Sequence, residues 1–173
     1  MVDIRKIKHK INIKRDRTGC NVCGKYKRLI KRAVRIALRN EAVDKLCVVN
    51  VLITDDEGIR EYNHKYREID KATDVLSFPM QNFINAGWEG LNEPEFDEDT
   101  GDLPLGDIII SAETSKRQAN KYGNTVEYET TYLIIHSTLH LLGYDHGDES
   151  SEKDMHEKSK QIMQKMGFEI NDK

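Results

Sequence analysis

The sequence predicts a single domain of mixed strands and helices, α+β or α/β, built around one buried helix. Three observations carry this. The 173 residues match one ordinary domain with a sizeable core. Apolar patterns of period two and period 3.6 alternate along the chain with no linker between them. The run from Tyr132 to Leu142 is apolar nearly all round, the mark of a helix packed on every side.

Each element follows from its own pattern. Residues 4–13 place Ile7, Ile11 and Ile13 between polar residues, which predicts a strand with one wet face. Gly19 to Gly24 punctuates the chain. Residues 25–39 set Leu29, Ile30, Ala33, Val34, Ile36 and Ala37 along one side of a helix whose other side is basic. Residues 46–53 are β-branched and nearly continuous, a buried strand. Asp55 or Asp56 caps a helix over 56–66. Residues 75–79 form a short strand stopped by Pro79. Residues 80–103, with Gly87, Gly90, Pro94, Gly101 and seven acids, read as a long exposed hairpin or mobile loop that tolerates deletion. Ile108 to Ile110 form another strand. Ser111 caps a helix to Tyr122, with Glu113 near its positive end. The buried helix covers 126–142 and stops at Gly143. A polar helix over 149–166 uses Ile162, Met163 and Met166.

Composition bounds the function. No run of 18 apolar residues exists, and the N-terminus lacks the apolar stretch of a signal peptide, so a cytoplasmic protein without membrane contact is expected. The net charge of -3 divides unevenly: Met1 to Arg39 carries 14 Lys and Arg against Asp3 and Asp16, a balance of +12, leaving -15 for the rest. Such a basic segment fits either a polyanion such as nucleic acid or a solvated helix face. Three cysteines, Cys20, Cys23 and Cys47, argue against a disulfide framework. The lone Cys20-Asn-Val-Cys23 fits a turn before a helix, a redox pair or half of an intermolecular metal site.

The chemistry lies in His136-Ser-Thr-Leu-His140-Leu-Leu-Gly143-Tyr-Asp-His146. Ligands at i and i+4 leave one helix face, one above the other. Gly143 lets the chain turn back and bring His146 over that face. Three imidazoles with an open fourth position make a catalytic rather than a closed structural site, and zinc suits them, with nickel, cobalt and copper as competitors. Asp145 is the expected acceptor for a ligand's ring N–H. The same spacing occurs in the metzincin proteases, whose general-base Glu follows the first His. Ser137 stands there instead, which argues against peptide hydrolysis. His9, His64 and His156 lack partners at ligand spacing and read as non-ligands.

With these residues in place, the chain resembles the bacterial YbeY family of endoribonucleases. Leu139-His140-Leu-Leu-Gly-Tyr-Asp-His146 matches its signature, with Ser137 at a position where the family often has Gly. Asn63-His-Lys-Tyr-Arg67, Thr73-Asp-Val-Leu-Ser-Phe-Pro79 and Leu105-Gly-Asp-Ile108 match in register; the first 45 residues and the acidic segment contribute little. The resemblance implies an α+β domain over 1–173, a small mixed sheet covered by helices. It implies one Zn2+ per chain on His136, His140 and His146, with Arg67 important for activity. It also implies cleavage of single-stranded RNA in small-subunit ribosomal RNA 3′-end maturation and ribosome quality control, with the ribosome or its small-subunit precursor as partner. A guanidinium fork suits the charge developing on a phosphate. Thr73 to Pro79 reads as a core strand whose Asp74 shapes the site wall without reacting. Two rivals stand beside this reading: a ribosome-binding assembly factor with a structural zinc, and a metallohydrolase of peptides or small amides. The oligomeric state is not legible.

Overall fold

The computed structural model describes residues 3–16 and 24–170. Cys20 and Cys23 lie outside the described residues. The described residues form six strands, β1 (Lys10–Arg15), β2 (Cys47–Thr54), β3 (Val75–Pro79), β4 (Asn82–Phe83), β5 (Leu91–Asn92) and β6 (Leu103–Ser111), and five α-helices, α1 (Gly24–Asn40), α2 (Asp56–Arg67), α3 (Ala112–Tyr122), α4 (Val126–Leu141) and α5 (Glu149–Met166). The main sheet has the order β1-β2-β6-β3, parallel across its first two pairings and antiparallel at β3. The expected α+β class with a small mixed sheet is what the chain adopts.

The sheet's two faces differ. Val49, Val51, Ile53, Ile108 and Ile110 pack with Ile30, Val34 and Leu38 of α1, Ile134, Ile135 and Leu139 of α4, and Ile162 and Met163 of α5. On the other face Ile59 of α2 joins Leu76 and Ile109 in a smaller cluster. Within β2 the burial alternates, yet its exposed-side residues are few, as expected for a strand central to a sheet. Gly106 has φ +143, and a Cβ there would stand 2.2 Å from the Phe78 carbonyl oxygen. It therefore allows the close approach of β3 that positions the site wall.

The caps explain where helices begin. Asp55 accepts from Gly58 N–H, Ser111 from Thr114 N–H and Thr125 from Tyr128 N–H. Of the two candidate caps for α2, Asp55 takes the role, and Asp56 instead accepts from Ser111 and Thr114 hydroxyls.

Three expectations need correction. Residues 4–13 are not one strand: Asp3 accepts from Arg5 N–H and starts a 3-10 turn over Ile4–Lys6, and pairing with β2 begins only at Lys10. Of residues 73–79, only Val75–Pro79 are strand, and this is an edge strand rather than a core strand, because among the described residues no strand lies beyond β3. Residues 80–103 do contain a hairpin, β4 with β5, but the segment is docked rather than free. Gln81 is buried and bridges the Glu95 and Pro104 backbones, Gly87 N–H donates to the Leu142 carbonyl, and Trp88 donates to Asp44. Asp102, at its end, pairs with Lys10.

Candidate metal centre

The site is built at the C-terminal end of α4. That helix is buried because apolar residues occupy every side of it: Leu133, Ile134, Ile135, Leu139 and Leu141. Thr131 and Thr138 donate their hydroxyls back to the carbonyls of Glu127 and Ile134, so neither polar group is stranded. Ser137 is buried on the core side, away from the cleft, with its hydroxyl unpartnered among the described residues. The position that holds a general base in metzincins thus presents no side chain to the site.

His136 and His140 leave the helix on one face. Gly143, with φ +82, turns the chain, and a Cβ there would meet the Phe83 side chain at 2.5 Å. The turn returns His146 over the same face. His136 Nε2 stands 3.2 Å from both His140 Nε2 and His146 Nε2. All three ligand atoms lie within 4.8 Å of one another. Two donors on one tetrahedral ion at about 2.0–2.1 Å stand roughly 3.3 Å apart, so the spacing fits a single ion.

The ring nitrogens are prepared for that task. His140 Nδ1 lies 2.7 Å from the Tyr144 carbonyl oxygen, so an Nδ1–H donates there and leaves an Nε2 lone pair directed at the cluster. Burial, reinforced by the neighbouring imidazoles, lowers His136 to about 4, while Asp74 pulls weakly the other way. Burial also lowers His140, against the opposing hydrogen bond to Tyr144. Both shifts favour the neutral imidazole, the form that metal ligation requires.

Tyr144 is itself anchored. Its hydroxyl donates to the buried Glu41 at 2.6 Å, and Lys158 donates to the same carboxylate at 3.0 Å. Burial, followed by Glu41, pushes the phenol up, so it remains a donor. Asp145, expected to hold a ring N–H, accepts instead from the His146 backbone N–H. The ring acceptor is the Tyr144 carbonyl. Its identity as a residue was within the motif, but a backbone acceptor has no sequence signal.

The imidazoles open into a cleft of about 660 Å³. Val75, Ser77 and Pro79, alternate residues of β3, line one wall, with Asp74 at its start and Tyr132 and Leu133 opposite. Asp74 is held by Val75 N–H, the Thr73 hydroxyl and the Gln118 amide, which agrees with its expected place in the wall. Tyr132, which sits in the apolar run one helical turn before His136, stacks on that imidazole with centroids 6.0 Å apart. Arg67, the last residue of α2, lies on the cleft lip. Glu68 ends the helix in the left-handed region at φ 60, which leaves the Arg67 side chain exposed. Among the described residues it has no carboxylate partner. The structure thus brings the four sequence-derived site residues to one cleft, and keeps His9 and His64 out of it. His9 is buried against Cys47 N–H.

A mixed α+β sheet backing three convergent imidazoles, open on one side to a polar cleft, is the arrangement of a hydrolase whose site could hold a metal ion. The family model described as Endoribonuclease YbeY matches residues 11–167, and the chain belongs to that family. The Endoribonuclease YbeY of Caldanaerobacter subterraneus subsp. tengcongensis is 45% identical over 140 residues, 81% of this chain and 87% of its own. That of Agathobacter rectalis is 40% identical over 153 residues, 86% of this chain and 93% of its own. The solution structure of TM1509 from Thermotoga maritima superposes with a TM-score of 0.56 at 27% identity, covering 89% of this chain and 87% of that one. No helix among the described residues is long and apolar enough to cross a membrane.

Proposed function

We propose that this protein is a zinc-dependent endoribonuclease that hydrolyses single-stranded RNA in the cleft, acting on small-subunit ribosomal RNA in the cytoplasm, on the ribosome or its precursor, as one catalytic domain over 1–173. The observation that carries the reading is the convergence of three imidazoles, with His136 Nε2 3.2 Å from the Nε2 of both others, beside a guanidinium that has no carboxylate partner among the described residues, in one cleft. His136, His140 and His146 would hold the ion. Zinc, when bound, lowers the pKa of a water or polarises a phosphate oxygen.

The chain's own groups have separate tasks. Arg67 offers a planar fork of donors to the phosphate oxygens, whose negative charge grows in the transition state. The Tyr144 carbonyl fixes the His140 ring and its tautomer. Tyr132 stacks on His136 and, with Leu133, lines the cleft beside the imidazoles. Asp74, tied by its three hydrogen bonds, keeps the opposite wall rigid and negative, which turns the scissile phosphate toward Arg67 rather than toward β3.

The test is cleavage of single-stranded RNA by purified protein beside His140→Ala and Arg67→Ala, with bound metal assayed in each. We expect His140→Ala to lose both metal and cutting, and Arg67→Ala to keep metal but cut at least a hundredfold more slowly. If neither substitution changes the cutting rate, the activity belongs to a contaminant and the site returns to an assembly factor with a structural zinc; if only Arg67→Ala cuts at the wild-type rate, Arg67 loses its assigned role.

A further inference from the structure

Helix α1 carries seven basic side chains and no acidic one. Its core side is Ile30, Ala33, Val34, Ala37 and Leu38. Arg28, Arg32, Arg35 and Arg39 follow at i, i+4, i+7 and i+11 on the opposite side. At about 100° per residue they fall within about 60° of arc and span roughly 16 Å. Arg28, Arg32 and Arg39 are exposed, and Arg35 is half-buried. Among the described residues none of the four has a carboxylate partner, whereas Lys25 at the start of the helix pairs with Glu127 at 2.9 Å. Arg39 reaches only the Arg5 backbone carbonyl, at 3.1 Å.

This line is unfavourable to the folded helix. Like charges at these spacings repel one another, and basic residues in the first turn oppose the helix dipole. An ordinary solvated face relieves this with interleaved acids. The chain has 30 acidic residues and places none on α1. Local conflict without local relief marks a surface selected for a partner.

The chemistry of the line selects that partner. Guanidinium forks match phosphate oxygens, and i, i+4 steps of about 6 Å set them in a row along one strand. None of the exposed large hydrophobic residues lies on α1, so the line lacks the apolar anchors of a protein interface. The apolar side of α1 is committed to the core, so it has nothing to insert into a membrane. Helix α1 also runs parallel to α4: Lys25 and Glu127 join their starts, and Glu41 and Tyr144 join the residues just past their ends. The line therefore advances toward the end of the molecule that carries the imidazoles.

We propose that Arg28, Arg32, Arg35 and Arg39 form a second contact for the phosphate backbone of single-stranded RNA, outside the cleft; this rests on the RNA reading above. The experiment measures binding of a 2′-O-methyl RNA of about 20 nucleotides to the wild type, to Arg32→Gln/Arg35→Gln and to a control, Lys116→Gln/Lys121→Gln on α3. At about 0.1 M salt the arginine variant is expected to bind about tenfold more weakly, with a log–log salt slope shallower by about 1.4. The control keeps the wild-type affinity to within twofold. Cleavage of an RNA of about five nucleotides, too short to span cleft and helix, proceeds at the wild-type rate in all three. Circular dichroism checks that the variant stays folded. Equal affinity and slope in the arginine variant and the control overturn the proposal. So does weakened binding of polyglutamate or anionic vesicles with RNA binding intact, which assigns the line to an acidic protein or a membrane. A wild type that binds the oligonucleotide but cuts no RNA sinks the nuclease reading and leaves the arginine contact standing.

Discussion

The residue that most shapes the metal centre without touching the ion's position is Tyr144. Its two ends do different work: the backbone carbonyl fixes the His140 tautomer, and the hydroxyl clamps the loop to Glu41. Glu41 is buried, and a buried carboxylate needs donors. It has three, from Tyr144, Lys158 and Asn40. Removing one donor leaves part of a charge desolvated without return, which costs about 1–3 kcal/mol. Tyr144→Phe is therefore expected to lower unfolding free energy in urea by that amount. Because the loosened loop carries the acceptor of His140 Nδ1–H, zinc affinity should fall by about tenfold, short of the loss in His140→Ala. A variant that loses stability but binds zinc as tightly as the wild type would confine Glu41 and Tyr144 to a structural role.

Among the elements, the join between α4 and the segment after β3 decides the site geometry. Gly143 sits at φ +82 with Phe83 pressed into the space a side chain would need. Gly143→Ala meets both obstacles at once, a left-handed backbone and a 2.5 Å overlap. We expect a loss of at least about 2 kcal/mol in chemical denaturation, together with loss of zinc from the purified protein. Retention of wild-type stability and metal would mean that the turn is free to re-form without the β4–β5 hairpin against it. The same join shows what the sequence carried and what it did not. His136, His140 and His146 were legible because one helix and one turn position them, and local geometry follows from spacing. The strands and helices with strong periodicity were legible for the same reason. The docking of residues 80–103 was hidden by their acidic, glycine-rich composition, since the Gln81 side-chain amide and the Gly87 N–H act through hydrogen bonds to distant backbone groups, which leave no apolar pattern. The Glu41–Tyr144 pair joins residues on α1 and beyond α4, and only the tertiary fold brings them together. His9 marks a further limit: nothing in an alternating N-terminal pattern foretells that its imidazole is buried and accepts from Cys47 N–H on β2.

At the scale of the whole molecule, the scaffold has an apolar core separate from the three imidazoles. The main cluster joins α1, α4, α5 and three strands of the sheet, β1, β2 and β6, through buried side chains, and the imidazoles are half-buried or exposed. This differs from small zinc modules, in which the metal replaces a core and the apo chain is unfolded. The chelator-treated protein is therefore expected to keep its far-ultraviolet circular dichroism and to unfold cooperatively. Ligation nonetheless adds stability by mass action, about 2.7 kcal/mol when free zinc is a hundred times its Kd. At about 2–4 °C per kcal/mol for a chain of this size, the holo protein should melt roughly 5–10 °C above the apo form. The shift should vanish in His140→Ala, which has lost a ligand but none of the core. Unfolding on chelation would show that the ion, rather than the sheet and helices, organises α4; an unchanged melting temperature would show that the three imidazoles bind no metal at all.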